Sequence, residues 1–181
     1  MLKKIDTKTL IAESLIDLSY TRPIDKITVN DIIQNCGIGR QTFYYHFRTK
    51  FDLIHWFYMS SIDEIISIHK NQVPWVDMIA QTFIFQSNYK HFFRNAFIDQ
   101  GHESLFNASH VHAINYYVAC IQENAGESEL IDNMRFAINL YSYGAICMGR
   151  DWLKSGAKES PVVLSRRLAD SMPERMREYI I

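Results

Sequence analysis

The stretch Gly37-Ile38-Gly39-Arg40-Gln41-Thr42-Phe43-Tyr44-Tyr45-His46-Phe47-Arg48-Thr49-Lys50 organises the chain. Immediately before it, Val29, Ile32, Ile33 and Cys36 recur at i, i+3, i+4 and i+7, the apolar stripe of a short helix. Thr28 stands at the N-cap position, and Asp31 three residues on makes a capping-box-like pair with Asp in place of Glu. Gly37 ends this helix, because glycine enters the left-handed C′ conformation without steric cost. A second helix is predicted over about 40–47, with Phe43 and Phe47 on one face. Helix, tight glycine turn, helix is the helix-turn-helix layout, whose second helix is sized for the major groove of DNA.

With Phe43 and Phe47 turned inward, the outer face of the second helix carries Gln41, Thr42, Tyr44, Tyr45 and His46. A merely solvated helix face usually carries Glu and Lys. This one carries donors, acceptors and polar-tipped aromatics, chemistry suited to base edges and phosphates. The blander alternative, a short amphipathic helix with no partner, leaves the agreement of turn, caps and outer face without a cause.

The run from Thr28-Val29-x-Asp31-Ile32 through Cys36-Gly37-Ile38-Gly39-Arg40-Gln41-Thr42-Phe43-Tyr44-Tyr45-His46-Phe47-x-x-Lys50-x-x-Leu53 resembles the DNA-binding domain of the TetR family of bacterial transcriptional regulators. The likeness covers about residues 7–56. It departs from the usual pattern at Gly39, where Ser or Thr commonly caps the recognition helix; Gly is an acceptable N-cap, but a hydroxyl near phosphate is lost. Pro23 also stands where a Gly is more usual, in the connection 21–26. Read along its length, the chain is expected to be all-α, with about nine helices. Residues 1–50 would form a three-helix helix-turn-helix unit, and residues 51–181 a helical dimerisation and effector unit. Carried onto this chain, Gln41 and Thr42 are expected at base edges, Tyr44 and Tyr45 at base, sugar or phosphate, and Thr28, His46 and Lys50 at phosphates. Arg40 completes the expected DNA-contacting set.

The chain has 181 residues, 48% hydrophobic and 13% aromatic, ample for a buried core. Its formal net charge of −1 announces no global nucleic-acid footprint. The first 58 residues, however, hold eight Lys/Arg against six Asp/Glu, the sign expected if that part meets DNA. Lys3 and Lys4 form a short arm that could reach phosphate. Cys36, Cys120 and Cys147 sit in helical apolar patterns without C-x-x-C spacing and read as reduced core thiols. With no signal-peptide pattern and no stretch of membrane-span length and purity, the expected location is the cytoplasm.

Beyond the motif, periodicity predicts helices over about 7–20, 50–69, 75–86, 89–98, 104–123 and 130–155, and one from Pro161 that Pro173 interrupts, with Ser171 able to cap a final piece. Thr49 and Asp52 repeat the cap at the start of the long helix 50–69. No strand signal, repeat or low-complexity tract is present.

From Phe136 to Met148 the sequence is apolar nearly all round, and such a helix must be covered on every side. The expected cover is a second copy of the chain, because one recognition helix reads too few base pairs and a two-fold operator matches a two-fold protein. Gly144 and Ala145 would admit a close partner helix, and in the resembled family the last two helices of each subunit form the interface. The expected interface residues are Tyr141, Gly144, Ala145, Met148, Leu164 and Leu168.

The family also implies an effector pocket among the later helices, for which Phe93, Phe97, Tyr117 and Tyr141 are the expected lining. Aromatics at helical spacing are more often core. The expected function is thus a homodimeric operator-binding regulator, a repressor released by a small molecule. The alternative is an activator worked by a protein co-regulator, as in the branch that activates dihydroxyacetone kinase genes, which this short, aromatic C-terminal part resembles. A remote third reading, a helical metal enzyme, would use His102-Glu103, His110, His112 and Cys120. Those residues lack the H-E-x-x-H spacing and any nucleophile–base pair, so no cofactor, metal or catalytic residue is expected.

Overall fold

The computed structural model describes residues 6–97, 104–125 and 128–180. Among these the protein is all helical: α1 (Thr7–Ser19), a 3-10 turn (Ile24–Lys26), α2 (Val29–Cys36), α3 (Arg40–His46), α4 (Lys50–His69), α5 (Trp75–Asn88), α6 (Lys90–Ala96), α7 (Leu105–Ala125), α8 (Ser128–Lys154), α9 (Pro161–Asp170) and α10 (Glu174–Arg177). The 3-10 turn occupies what the sequence presents as plain loop. The last piece, α10, starts from Pro173, not from Ser171, whose hydroxyl instead donates to the Arg167 carbonyl at the end of α9 (2.8 Å). The lysine arm, Gly101, His102 and Glu103 lie outside the described residues.

The first four helices pack around Ile11, Leu15, Ile27, Ile32, Phe43 and Leu53, each at most 1% exposed. Ser14 Oγ donates to the Ile32 carbonyl (3.0 Å) and accepts from Asn35 Nδ2 (3.0 Å), fastening α1 to α2 in the interior. Both expected capping boxes form. The Thr28 hydroxyl accepts from the Asp31 amide while the Asp31 carboxylate accepts from the Thr28 amide, and Thr49 and Asp52 do the same for α4. Gly37 ends α2 at φ 69°, ψ 25°, a left-handed conformation that a Cβ would strain.

The same buried cluster continues along α4 into the C-terminal half, through Tyr58 and Ile62 to Phe83, Phe92, Phe93, Phe97 and Trp152. A second cluster, Tyr117, Cys120, Ile121, Ile138, Tyr141 and Met176 among others, joins α7, α8 and α10. α4 therefore shares its apolar contacts between the first three helices and the later ones.

Candidate nucleic-acid interface and effector cavity

α3 projects from this scaffold by its outer face. Phe43 and Phe47 are buried at 0% and 4% exposure, while Tyr45 is 85% and Tyr44 48% exposed. Arg40 and Gln41 are exposed in the first turn, and Thr42 and His46 are partly buried beside them. The Tyr45 and His46 rings meet edge to face at 4.9 Å. Arg40 Nη2 donates to Asn30 Oδ1 (3.1 Å), which holds the guanidinium at the α2–α3 junction. Gly39 begins the helix at φ −74°, ψ 152°, a conformation open to any residue, and offers no side-chain cap.

Two residues expected at phosphate are placed otherwise. Lys50 Nζ donates to the carbonyls of Ile24 (2.7 Å), Asp25 (3.1 Å) and Ile27 (2.8 Å). Its three N–H bonds close the 3-10 turn against the start of α4. Thr28 is exposed, but its hydroxyl donates to Asp31 Oδ2 (2.7 Å) and accepts from the Asp31 amide, so its capacity is spent on the cap. Two hydrogen bonds from Thr28, with Arg22 Nη1 3.2 Å away, lower the Asp31 carboxyl to about 2.

In the C-terminal half a cavity of about 100 Å³ opens between α4, α5, α7 and α8. Phe97, Tyr117 and Tyr141 line it. Phe93 does not: it is fully buried in an aromatic cluster, stacked on Phe57 at 5.9 Å and against Phe92 at 5.1 Å. Its neighbours in α4, α5 and α6 claim its whole surface. The sequence reading missed Gln86, 5% exposed in the cavity wall; its signal was a polar residue three positions after Phe83 on the inner stripe of α5. His112 also lines the cavity, with Nε2 2.8 Å from Asp63 Oδ1 of α4. His110 turns to the Asn139 carbonyl of α8 (3.4 Å), and Cys120 lies in the second core cluster. Among the described residues no group of three or more His, Cys, Asp or Glu side chains is placed to hold a metal ion.

α8 exposes several large apolar side chains. Phe136 is 80% exposed, Leu140 63%, and Tyr143 and Met148 51% each, and on α9 Val162 and Val163 are exposed. Gly144 lies exposed on α8 with nothing within 4 Å of where a Cβ would stand. Of the residues expected there, Gly144 and Met148 are exposed and Ala145 is half buried against the core. Tyr141, Leu164 and Leu168 are instead buried within the chain, and the Tyr141 hydroxyl donates to the Leu168 carbonyl (2.8 Å). The helix has one covered and one open apolar face, and these three sit on covered faces of α8 and α9. Among the described residues no helix is long and apolar enough to cross a membrane.

Residues 13–55 match the family model described as bacterial regulatory proteins, tetR family, and residues 74–174 the model described as transcriptional regulator C-terminal region. The chain is 27% identical over 148 residues to the HTH-type dhaKLM operon transcriptional activator DhaS of Lactococcus lactis subsp. lactis (strain IL1403), covering 81% of this chain and 79% of that protein. A solved structure of the dihydroxyacetone kinase operon activator DhaS superposes with a TM-score of 0.72 over 98% of this chain and 100% of that one. At 18% identity, this is a likeness of fold.

Proposed function

The chain belongs to the TetR family of bacterial transcriptional regulators, and from that membership we propose a cytoplasmic homodimer whose two α3 helices enter successive major grooves of a palindromic operator. The observation that carries this reading is the outer face of α3, with Gln41, Tyr44 and Tyr45 exposed above the buried Phe43 and Phe47. Gln41 and Thr42 are assigned to base edges, and Arg40, Tyr44, Tyr45 and His46 to bases, sugar or phosphate. Residues 1–50 act as the reading head, and 51–181 as the dimerisation and effector unit. The open apolar face of α8 and α9 is assigned to the two-fold interface. No catalytic role is assigned.

For the direction of control, the name of the Lactococcus relative favours an operon activator over a repressor. The cavity bears on the effector: about 100 Å³ is well below the roughly 300 Å³ at which pockets for drug-sized ligands begin. A bulky inducer is therefore disfavoured, and a protein co-regulator or a very small ligand is preferred. Selection of bound duplexes from a random pool tests the DNA reading. The expected yield is a palindrome with half-sites one helical turn apart, and recovery of unrelated sequences would overturn it. A reporter behind the selected site then decides direction, since deletion of the regulator lowers expression under an activator and raises it under a repressor.

A further inference from the structure

The cavity wall contains polar groups that the fold leaves unused. Gln86 is 5% exposed, and its side-chain amide makes no hydrogen bond among the described residues. Other polar atoms around it are engaged. Thr82 Oγ1 donates to the Ile79 carbonyl (2.8 Å), Ser109 Oγ to the Leu105 carbonyl (2.7 Å) and the Tyr141 hydroxyl to the Leu168 carbonyl. Neither amide atom of Gln86 is among the fully buried unpartnered atoms, so the amide reaches the open space of the cavity. Trp75, in the same wall, has a buried indole N–H without an acceptor.

Charge around the cavity is already matched. No Asp or Glu lines it, Arg150 Nε donates to Asp151 Oδ1 (3.0 Å), and His112 faces Asp63. Burial raises the phenols of Tyr117 and Tyr141, which keeps them neutral. An ionic ligand would find no unpaired counter-charge here and would lose its hydration. The rest of the wall is aliphatic and aromatic. For scale, a dry cavity of 150 Å³ accommodates benzene, so about 100 Å³ suits roughly four to six heavy atoms.

We propose that this cavity binds a small neutral molecule with an apolar body and one oxygen-bearing head, a short alcohol or ketone, and that the Gln86 amide is the group that meets the head. The inference rests on reading the C-terminal half as an effector unit. It adds the chemical class of the ligand and the residue that recognises it.

The full-length protein is titrated calorimetrically with 1-butanol and with propionate, its anionic counterpart of equal heavy-atom count, alongside Gln86→Leu and Gln86→Met. 1-Butanol is expected to saturate one site per chain of the unaltered protein, and propionate is not. Both variants should bind 1-butanol at least tenfold more weakly. Methionine guards against a poor fit of the branched leucine. Absence of saturable 1-butanol binding, equal binding by the variants, or equal binding of propionate would each overturn the proposal. Operator binding with and without 1-butanol separates the two levels. Saturable binding that leaves operator affinity unchanged supports the site and overturns the effector reading. Normal operator binding without any 1-butanol site overturns the proposal alone.

Discussion

Lys50 Nζ donates to the carbonyl of Ile24 at 2.7 Å, joining the first turn of α4 to the 3-10 turn that leads into α2. The carbonyls of Asp25 and Ile27 complete a tripod, and the ammonium also lies 5.5 Å from the Phe51 ring centroid. An ammonium suits three converging acceptors, whereas a planar guanidinium does not.

Lys50→Ala and Lys50→Arg should therefore behave alike. Each is expected to cost about 1.5–3 kcal/mol of stability, the scale of hydrogen bonds to a charged group, and to weaken operator binding through a displaced α2. The salt dependence of binding should stay unchanged in both. If arginine restored affinity while alanine lowered the salt slope by about one unit, Lys50 would be a phosphate contact after all.

Gln41 stands exposed in the first turn of α3, the part that points deepest into the groove. Gln41→Ala should cost about 1–3 kcal/mol on the selected operator, relax preference at one base pair per half-site and leave the salt slope nearly unchanged. Equal loss on operator and scrambled duplexes, measured by anisotropy at several salt concentrations, would mean that α3 docks differently.

Asp31 has a folded-state carboxyl near 2 against an ordinary 3.8, with the Thr28 amide and hydroxyl as the leading causes. A carboxyl depressed on folding favours the folded state above its unfolded value, and that contribution is lost as pH falls through the folded value. Acid melts should show this loss between about pH 4 and 2, and Asp31→Ala should flatten that limb of the curve. An unchanged acid limb in the variant would remove Asp31 from the account.

The two glycines flanking Ile38 should respond oppositely. Gly37 lies at φ 69°, so Gly37→Ala is expected to destabilise by about 1 kcal/mol. Gly39 has an ordinary extended backbone, and the nearest atom to an added Cβ is Thr42 Oγ1 at 3.8 Å. Gly39→Ser should therefore supply the missing cap and stabilise by a few tenths of a kcal/mol, read in denaturant melts.

The open face of α8 carries the oligomer prediction. Phe136→Glu combined with Leu140→Glu should give a folded monomer, because both side chains already meet solvent in the single chain at 80% and 63% exposure. Sedimentation should show monomer, with operator affinity lost. A variant that still sediments as a dimer would move the interface elsewhere.

The helix-turn-helix was legible in the sequence because its determinants are local. The Thr28–Asp31 box, the glycine at the end of α2 and the Phe43/Phe47 spacing each act within one or two turns of chain, where caps and periodicity decide conformation. The boundaries of α4, Lys50 to His69, were set the same way.

Roles that depend on which side of a helix another helix covers were decided by tertiary structure. Tyr141 and Leu140 are adjacent in an apolar run, yet Tyr141 is buried against α9 while Leu140 meets solvent. Phe93 and Phe97 share one helical period, yet only Phe97 reaches the cavity. Lys50 shows the longest reach: a cation beside a recognition helix suggested phosphate, but carbonyls 23 to 26 positions back in the chain hold it. Composition and spacing specify which side chains an element carries. The direction each one faces, and the partner it finds, follows from the packing of elements distant in sequence, which no local pattern encodes.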